Sequence, residues 1–122
     1  MAIFPDESEL LSLFECEPTL FDNNSNDMQF YYNTAKYQFS NGEEDFIVTI
    51  SPSYGEVKIQ VTYRESRRFL SLLELKRVSK FEITADQKEH SSVLLTVLNE
   101  DSQQMIEIDF KPYFKLIFKE HF

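Results

Sequence analysis

The sequence predicts an α+β fold that is mainly antiparallel β: one short N-terminal helix followed by about six to eight strands in hairpins, arranged as a sandwich or as a helix on a sheet. Three observations carry this. Runs that alternate apolar and polar residues recur along the chain and are separated by turn-forming clusters, Asn41-Gly42 most clearly. Twelve Phe and six Tyr supply bulky strand formers, while only two Gly leave no room for a Gly-rich phosphate loop or a repeat built on glycine turns. Helical spacing stands out once, near the start. With 122 residues and 42% apolar content, one core is the economical solution, so 1–122 is read as a single domain, helical over 1–21 and a sheet region over 28–122.

In residues 5–21, Leu10, Leu11, Leu13 and Phe14 fall at helical spacing behind Asp6, Glu7, Ser8 and Glu9, whose charge suits a helix N-terminus. Pro18 predicts an end near Glu17. Residues 22–27 (DNNSND) read as a loop. Residues 29–40 (QFYYNTAKYQFS) read as a strand that turns at Asn41-Gly42 into a second strand over 45–51. After a turn at 52–55, Val57, Ile59, Val61 and Tyr63 alternate with Lys58, Gln60 and Thr62, the cleanest half-buried strand in the chain.

Residues 69–85 suit helix in part and extended structure in part; strands with a kink near Val78-Ser79 are the reading adopted. A second hairpin is expected across residues 99–102, joining 92–98 to 105–110, with Ile106, Ile108 and Phe110 inward. The terminal YFKLIFKEHF reads as a strand or a short helix.

Charge is distributed unevenly. The formal net charge is −9, and residues 1–60 hold eleven acids and two lysines, Lys36 and Lys58, whereas 61–122 hold ten acids and ten bases. Such a chain lacks the concentrated positive surface that nucleic-acid phosphates require, and no 18-residue apolar run predicts a membrane span. The acids are either a solvated face or a docking surface that steers a basic partner. The bases Arg64, Arg67, Arg68, Lys76, Arg77 and Lys80 form a polar connector that offsets the acidic half, or a patch for an acidic partner or a phosphate.

No catalytic kit is apparent. Cys16 sits between Glu15 and Glu17, neighbours that disfavour a thiolate, and His90 and His121 lie where a precisely held base is hard to build. One Cys and two His lack any zinc-ligand spacing. Asp22, Asn24 and Asn26 copy the first oxygen positions of a calcium loop, but Asp27 and Asn33 stand where that loop needs Gly and a bidentate Glu. The expectation is therefore no enzyme, no cofactor and no metal. A lone cysteine and a start, MAIFPDESEL, without an export pattern predict a cytoplasmic protein.

The short acidic helix, the run of antiparallel strands, the Phe/Tyr-rich and Gly-poor composition and the pattern LLELKRVSKFEI (residues 72–83) resemble the small cytoplasmic immunity proteins of bacterial polymorphic toxin and contact-dependent inhibition systems. The resemblance implies a stoichiometric inhibitor that binds one cognate toxin, commonly a nuclease, without chemistry of its own. Glu9, Glu15, Glu17, Asp22, Asp27, Glu43, Glu44 and Asp45 are then the residues expected to meet a basic partner, with Tyr31 and Tyr32 as aromatic anchors. Two alternatives stay open. One is an accessory subunit of a phage or secretion assembly that forms homo-oligomers through strand edges; the other is a hydrolase built on two converging buried carboxyls.

Overall fold

The computed structural model describes residues 2–21 and 30–121. Helix α1 (Glu7–Phe14) is followed by nine strands: β1 (Thr19–Leu20), β2 (Ala35–Ser40), β3 (Glu44–Ser51), β4 (Glu56–Tyr63), β5 (Phe69–Leu75), β6 (Val78–Gln87), β7 (His90–Leu98), β8 (Gln103–Lys111) and β9 (Lys115–His121). They form two antiparallel meanders, a five-stranded sheet in the order β1-β2-β3-β4-β5 and a four-stranded sheet in the order β6-β7-β8-β9. Every strand pairs with its sequence neighbour within its sheet, as short hairpin turns favour.

The alternation read from the sequence sets which face is inward. In β3, Phe46, Val48 and Ile50 lie opposite Val61, Ile59 and Val57 of β4, and all six are buried. In the second sheet Val93 and Leu95 lie opposite Ile108 and Ile106. Both inner faces, with Leu10, Leu13 and Phe14 of α1, contribute to one apolar cluster. Phe14 is its hinge point: its ring centroid lies 4.7 Å from Tyr37, 4.8 Å from Phe39 and 5.6 Å from Phe110, joining helix and both sheets. Aromatic pairs at these spacings add to simple area burial.

Four local expectations need correction. The helix ends at Phe14, not near Glu17, because Glu15 turns into the left-handed region (φ 55) and donates its N–H to Leu11 O, releasing the chain to run beside β2. The resulting two-residue β1 is the ninth strand, too short to leave a periodic signal. The strand expected over 29–40 begins at Ala35; Phe30–Tyr32 is a 3-10 turn, closed by Asn33 N–H on Phe30 O and by Asn33 Oδ1 accepting from Thr34 N. Last, the break between β5 and β6 falls at Lys76-Arg77, where Arg77 takes φ 63 and the chain crosses to the other sheet; the irregularity at Val78-Ser79 is a register shift inside β6. The kink expected there is thus a change of sheet.

Three contacts cover the β6 edge over residues 78–81. Ile3 pairs with it in parallel, its N–H donating to Ser79 O at 2.8 Å and its carbonyl accepting from Phe81 N at 2.8 Å. Gly55 O accepts from Val78 N at 2.8 Å. Gly55 has φ +64, and a Cβ there would lie 2.9 Å from Val78 O, so the close approach requires glycine. Among the described residues no helix is long and apolar enough to cross a membrane.

Candidate partner-binding surface

The turn between β2 and β3 is built by one asparagine. Asn41 Oδ1 accepts from Glu43 N and Glu44 N at 3.0 and 2.8 Å, while its Nδ2 donates to Glu44 Oε1 at 2.7 Å and Phe110 O at 2.8 Å. Gly42 at φ +102 completes the turn. Glu44 Oε1 also accepts from Phe114 N at 2.9 Å. The pair therefore stitches one sheet's turn to the end of the other, and Glu43 is left projecting from a rigid support.

Around Glu43 three depressions adjoin. A cleft of about 530 Å³ is bordered by Glu15, Glu43, Lys88, Glu89, Lys111 and Tyr113. A second, of about 410 Å³, shares Glu43 and adds Tyr63, Arg64 and Glu65. A third, of about 630 Å³, shares Tyr63 and runs over the outer face of the first sheet past Asp45, Ile47, Gln60 and Arg67. The surface is concave, aromatic at two points and mixed in charge.

The predicted site residues divide among several places. Glu15 and Glu43 border the same cleft, and Asp45 lines the adjoining groove. Glu15 is occupied by Lys111, whose Nζ donates to Glu15 Oε2 at 2.7 Å. Glu17 is exposed on the segment leading into β1. Glu9 closes a capping box, its Oε1 accepting from Asp6 N at 3.0 Å. Glu44 is only 7% exposed and already holds two donors, so it acts as an internal strut. Tyr31 and Tyr32, edge to face at 5.2 Å, precede the Ala35 end of β2, whereas Glu43 follows its Ser40 end. Tyr31 there shares a small cleft of about 240 Å³ with Phe4, Phe30, Pro52 and the Asp6-Glu7 pair. Asp22 and Asp27, with most of the calcium-like loop, lie outside the described residues.

Cys16 is partly buried, and burial pushes its thiol up against a smaller lowering by the Gln38 backbone. Burial likewise raises the Tyr37 phenol, whose hydroxyl has no hydrogen-bond partner among the described residues. Among the described residues no three His, Cys, Asp or Glu side chains converge as metal ligands, and Glu44 is the one buried carboxylate. Tyr63, Lys88, Glu89 and Tyr113 were not singled out by sequence reasoning. Their signal is topological: each sits at or beside a hairpin turn at the end of the sandwich that holds Asn41-Gly42.

No family model and no curated protein matches this chain. Its fold belongs with that of a chain in a solved toxin–immunity complex. The structure is described as a contact-dependent growth inhibition toxin - immunity protein complex from Klebsiella pneumoniae 342; the two chains are 22% identical, with a TM-score of 0.73 over 98% of this chain and 96% of that one.

Proposed function

We propose that this protein is a non-catalytic, immunity-type inhibitor that binds a toxin with a basic surface. The observation that carries this reading is the end-to-end likeness of fold to a chain of a toxin–immunity complex. Its site is the concave corner around Glu43: Glu43 and Asp45 supply long-range attraction, and Tyr63 and Tyr113, 40% and 58% exposed, supply anchors that slow dissociation. Glu15 contributes less, because Lys111 already neutralises it. Tyr31 and Tyr32 belong to a separate, far contact. The shared core supports treating the chain as one unit, and a toxin acting on nucleic acid would be met in the cytoplasm.

The test is co-expression with a candidate toxin domain encoded beside this gene, with growth as readout and association measured by stopped flow. Wild type is expected to restore growth. Reversing Glu43 and Asp45 to Lys is expected to slow association about tenfold at low salt and to erase most of its salt dependence. Unchanged association after charge reversal would overturn the acidic-corner site, and failure of the wild type to bind or protect against such toxins would overturn the inhibitor reading.

A further inference from the structure

Sheet edges expose unpaired backbone groups, and natural proteins protect them by keeping them short, covering them or charging them. Three of the four edges among the described residues follow that rule: β1 has two residues, β6 is covered over residues 78–81 by Ile3 and Gly55 and carries Glu82 and Asp86 beyond them, and β9 carries Lys115, Lys119 and Glu120. The fourth, β5, does not. Among the described residues it pairs only with β4, it runs for seven residues, and its single charge is Glu74. Phe69 and Leu72, paired with Thr62 and Gln60 on the outer face, are 56% and 42% exposed.

Cations stand at both ends of this edge, Arg67 and Arg68 before it and Lys76 and Arg77 after it. Arg67 and Arg77 hold the left-handed backbone at φ 62 and 63, a conformation unfavourable for a residue with a Cβ. Among the described residues none of the four is in an ion pair; the three ion pairs there use Lys80, Lys111 and Lys115. This arrangement discriminates between occupants. An antiparallel second copy centred on Leu72 would set Arg67 against Arg77 and Arg68 against Lys76, and a parallel copy in register would set each cation against itself. Facing residues lie about 5 Å apart, inside the screening length of about 8 Å at physiological salt, so both pairings are opposed.

We propose that the free edge of β5 is a docking site for an extended polypeptide strand of a partner protein, apolar at its centre and bracketed by carboxylates, which adds to the sheet while its acids meet the four end cations. The proposal stands on β5 alone and is independent of the toxin reading.

The probe is a synthetic peptide of alternating Val and Thr with two Glu at each end, matched in length to residues 67–77, titrated into the labelled full-length protein and followed by amide chemical shifts. Saturable shifts centred on residues 69–75 are expected, with the same peptide ended in Lys at least about tenfold weaker. Substituting R67Q, R68Q, K76Q and R77Q together is expected to convert a monomer to a dimer in sedimentation, reversed by adding L72K. No shifts in 69–75, equal binding of both peptides, or a neutralised variant that stays monomeric would each overturn the proposal. So would shifts with inorganic phosphate at the arginines while the Glu-ended peptide leaves β5 unmoved, the signature of a plain anion site.

Discussion

β5 and β9 are both last strands of their sheets and both seven residues long, yet they meet solvent differently. β9 carries its charges within the strand, at Lys115 and Lys119, and Lys115 pairs with Asp109 of β8 at 3.4 Å. β5 has Glu74 as its single charge and places four cations beyond its ends, two of them, Arg67 and Arg77, with left-handed backbone. Charge inside a strand blocks any added strand, whereas charge at its ends selects among strands. The two edges thus show one hazard managed in two ways, and the second leaves a usable surface.

Both edge strands pack on one apolar cluster, and Phe14 is where that unit breaks most readily. Phe14→Ala removes the ring that touches Tyr37, Phe39 and Phe110 and is expected to cost about 3–5 kcal/mol, seen as a lower denaturant midpoint at unchanged slope. Amide exchange should then rise in β5 and β9 together. Loss of protection in β5 with β9 intact would mean that the sheets unfold separately.

The next effect isolates the covered edge. Gly55→Ala forces a Cβ to within 2.9 Å of Val78 O at a positive φ and is expected to cost about 1–3 kcal/mol, with exchange rising first at Val78 and Phe81. Glu44→Ala comes next, at about 1–2 kcal/mol, because it strands the Phe114 N–H and leaves Asn41 Nδ2 with Phe110 O alone; Glu44→Gln, which keeps an acceptor, should lose less. A result in which Gln costs as much as Ala would mean that the strut needs the charge as well as the oxygen. At Arg77 the sign reverses. Arg77→Gly relieves a left-handed arginine and is expected to raise stability by about 0.5–1 kcal/mol in dilute solution, where self-association does not intervene. No gain would mean that the arginine side chain has an offsetting contact, and the view that β5 retains strain at its ends would fail.

Much of this organisation was legible in the residues. Asn41-Gly42 and the 99–102 cluster marked real hairpins, and the alternation named the buried face of β4 correctly at Val57, Ile59 and Val61, because half-buried strands impose period two, but not at Tyr63, which is 40% exposed at the end of the strand. What stayed hidden depends on tertiary contact. The two-residue β1 is fixed by its bonds to β2, and the 3-10 turn at Phe30–Tyr32 by the short-range bonds of Asn33 and by Phe30 packing on the core, neither of which leaves a periodic signal. The acidic residues of the first half were countable but not placeable: nothing local says that Glu44 turns inward while Glu43, its neighbour, projects. Likewise Tyr63 and Tyr113, fifty positions apart, meet one corner only because turns of both sheets gather at that end.

The smallest expected effect concerns the helix that spans both sheets. Asp6 caps α1, its Oδ1 accepting from Glu9 N at 2.9 Å and from Ser8 Oγ at 2.8 Å, and the Glu9 N–H bond is the main reason its carboxyl is held below the ordinary value of 3.8. A depressed carboxyl stabilises the folded state above that ordinary value, and the contribution is lost as pH falls through the folded value; Asp6 is fully exposed, so the loss is slight. Acidification from about pH 5 to about pH 2 should therefore raise exchange at Glu9, and Asp6→Asn, a neutral cap of similar quality, should flatten that response. Because Ser12 Oγ donates to Asp86 at 2.6 Å, any loosening of α1 passes to β6, while β5 has no such tie among the described residues. Equal acid sensitivity of β6 and β5 in wild type, abolished in Asp6→Asn, would show that the helix governs both edges and that the contrast between them is not local to the strands.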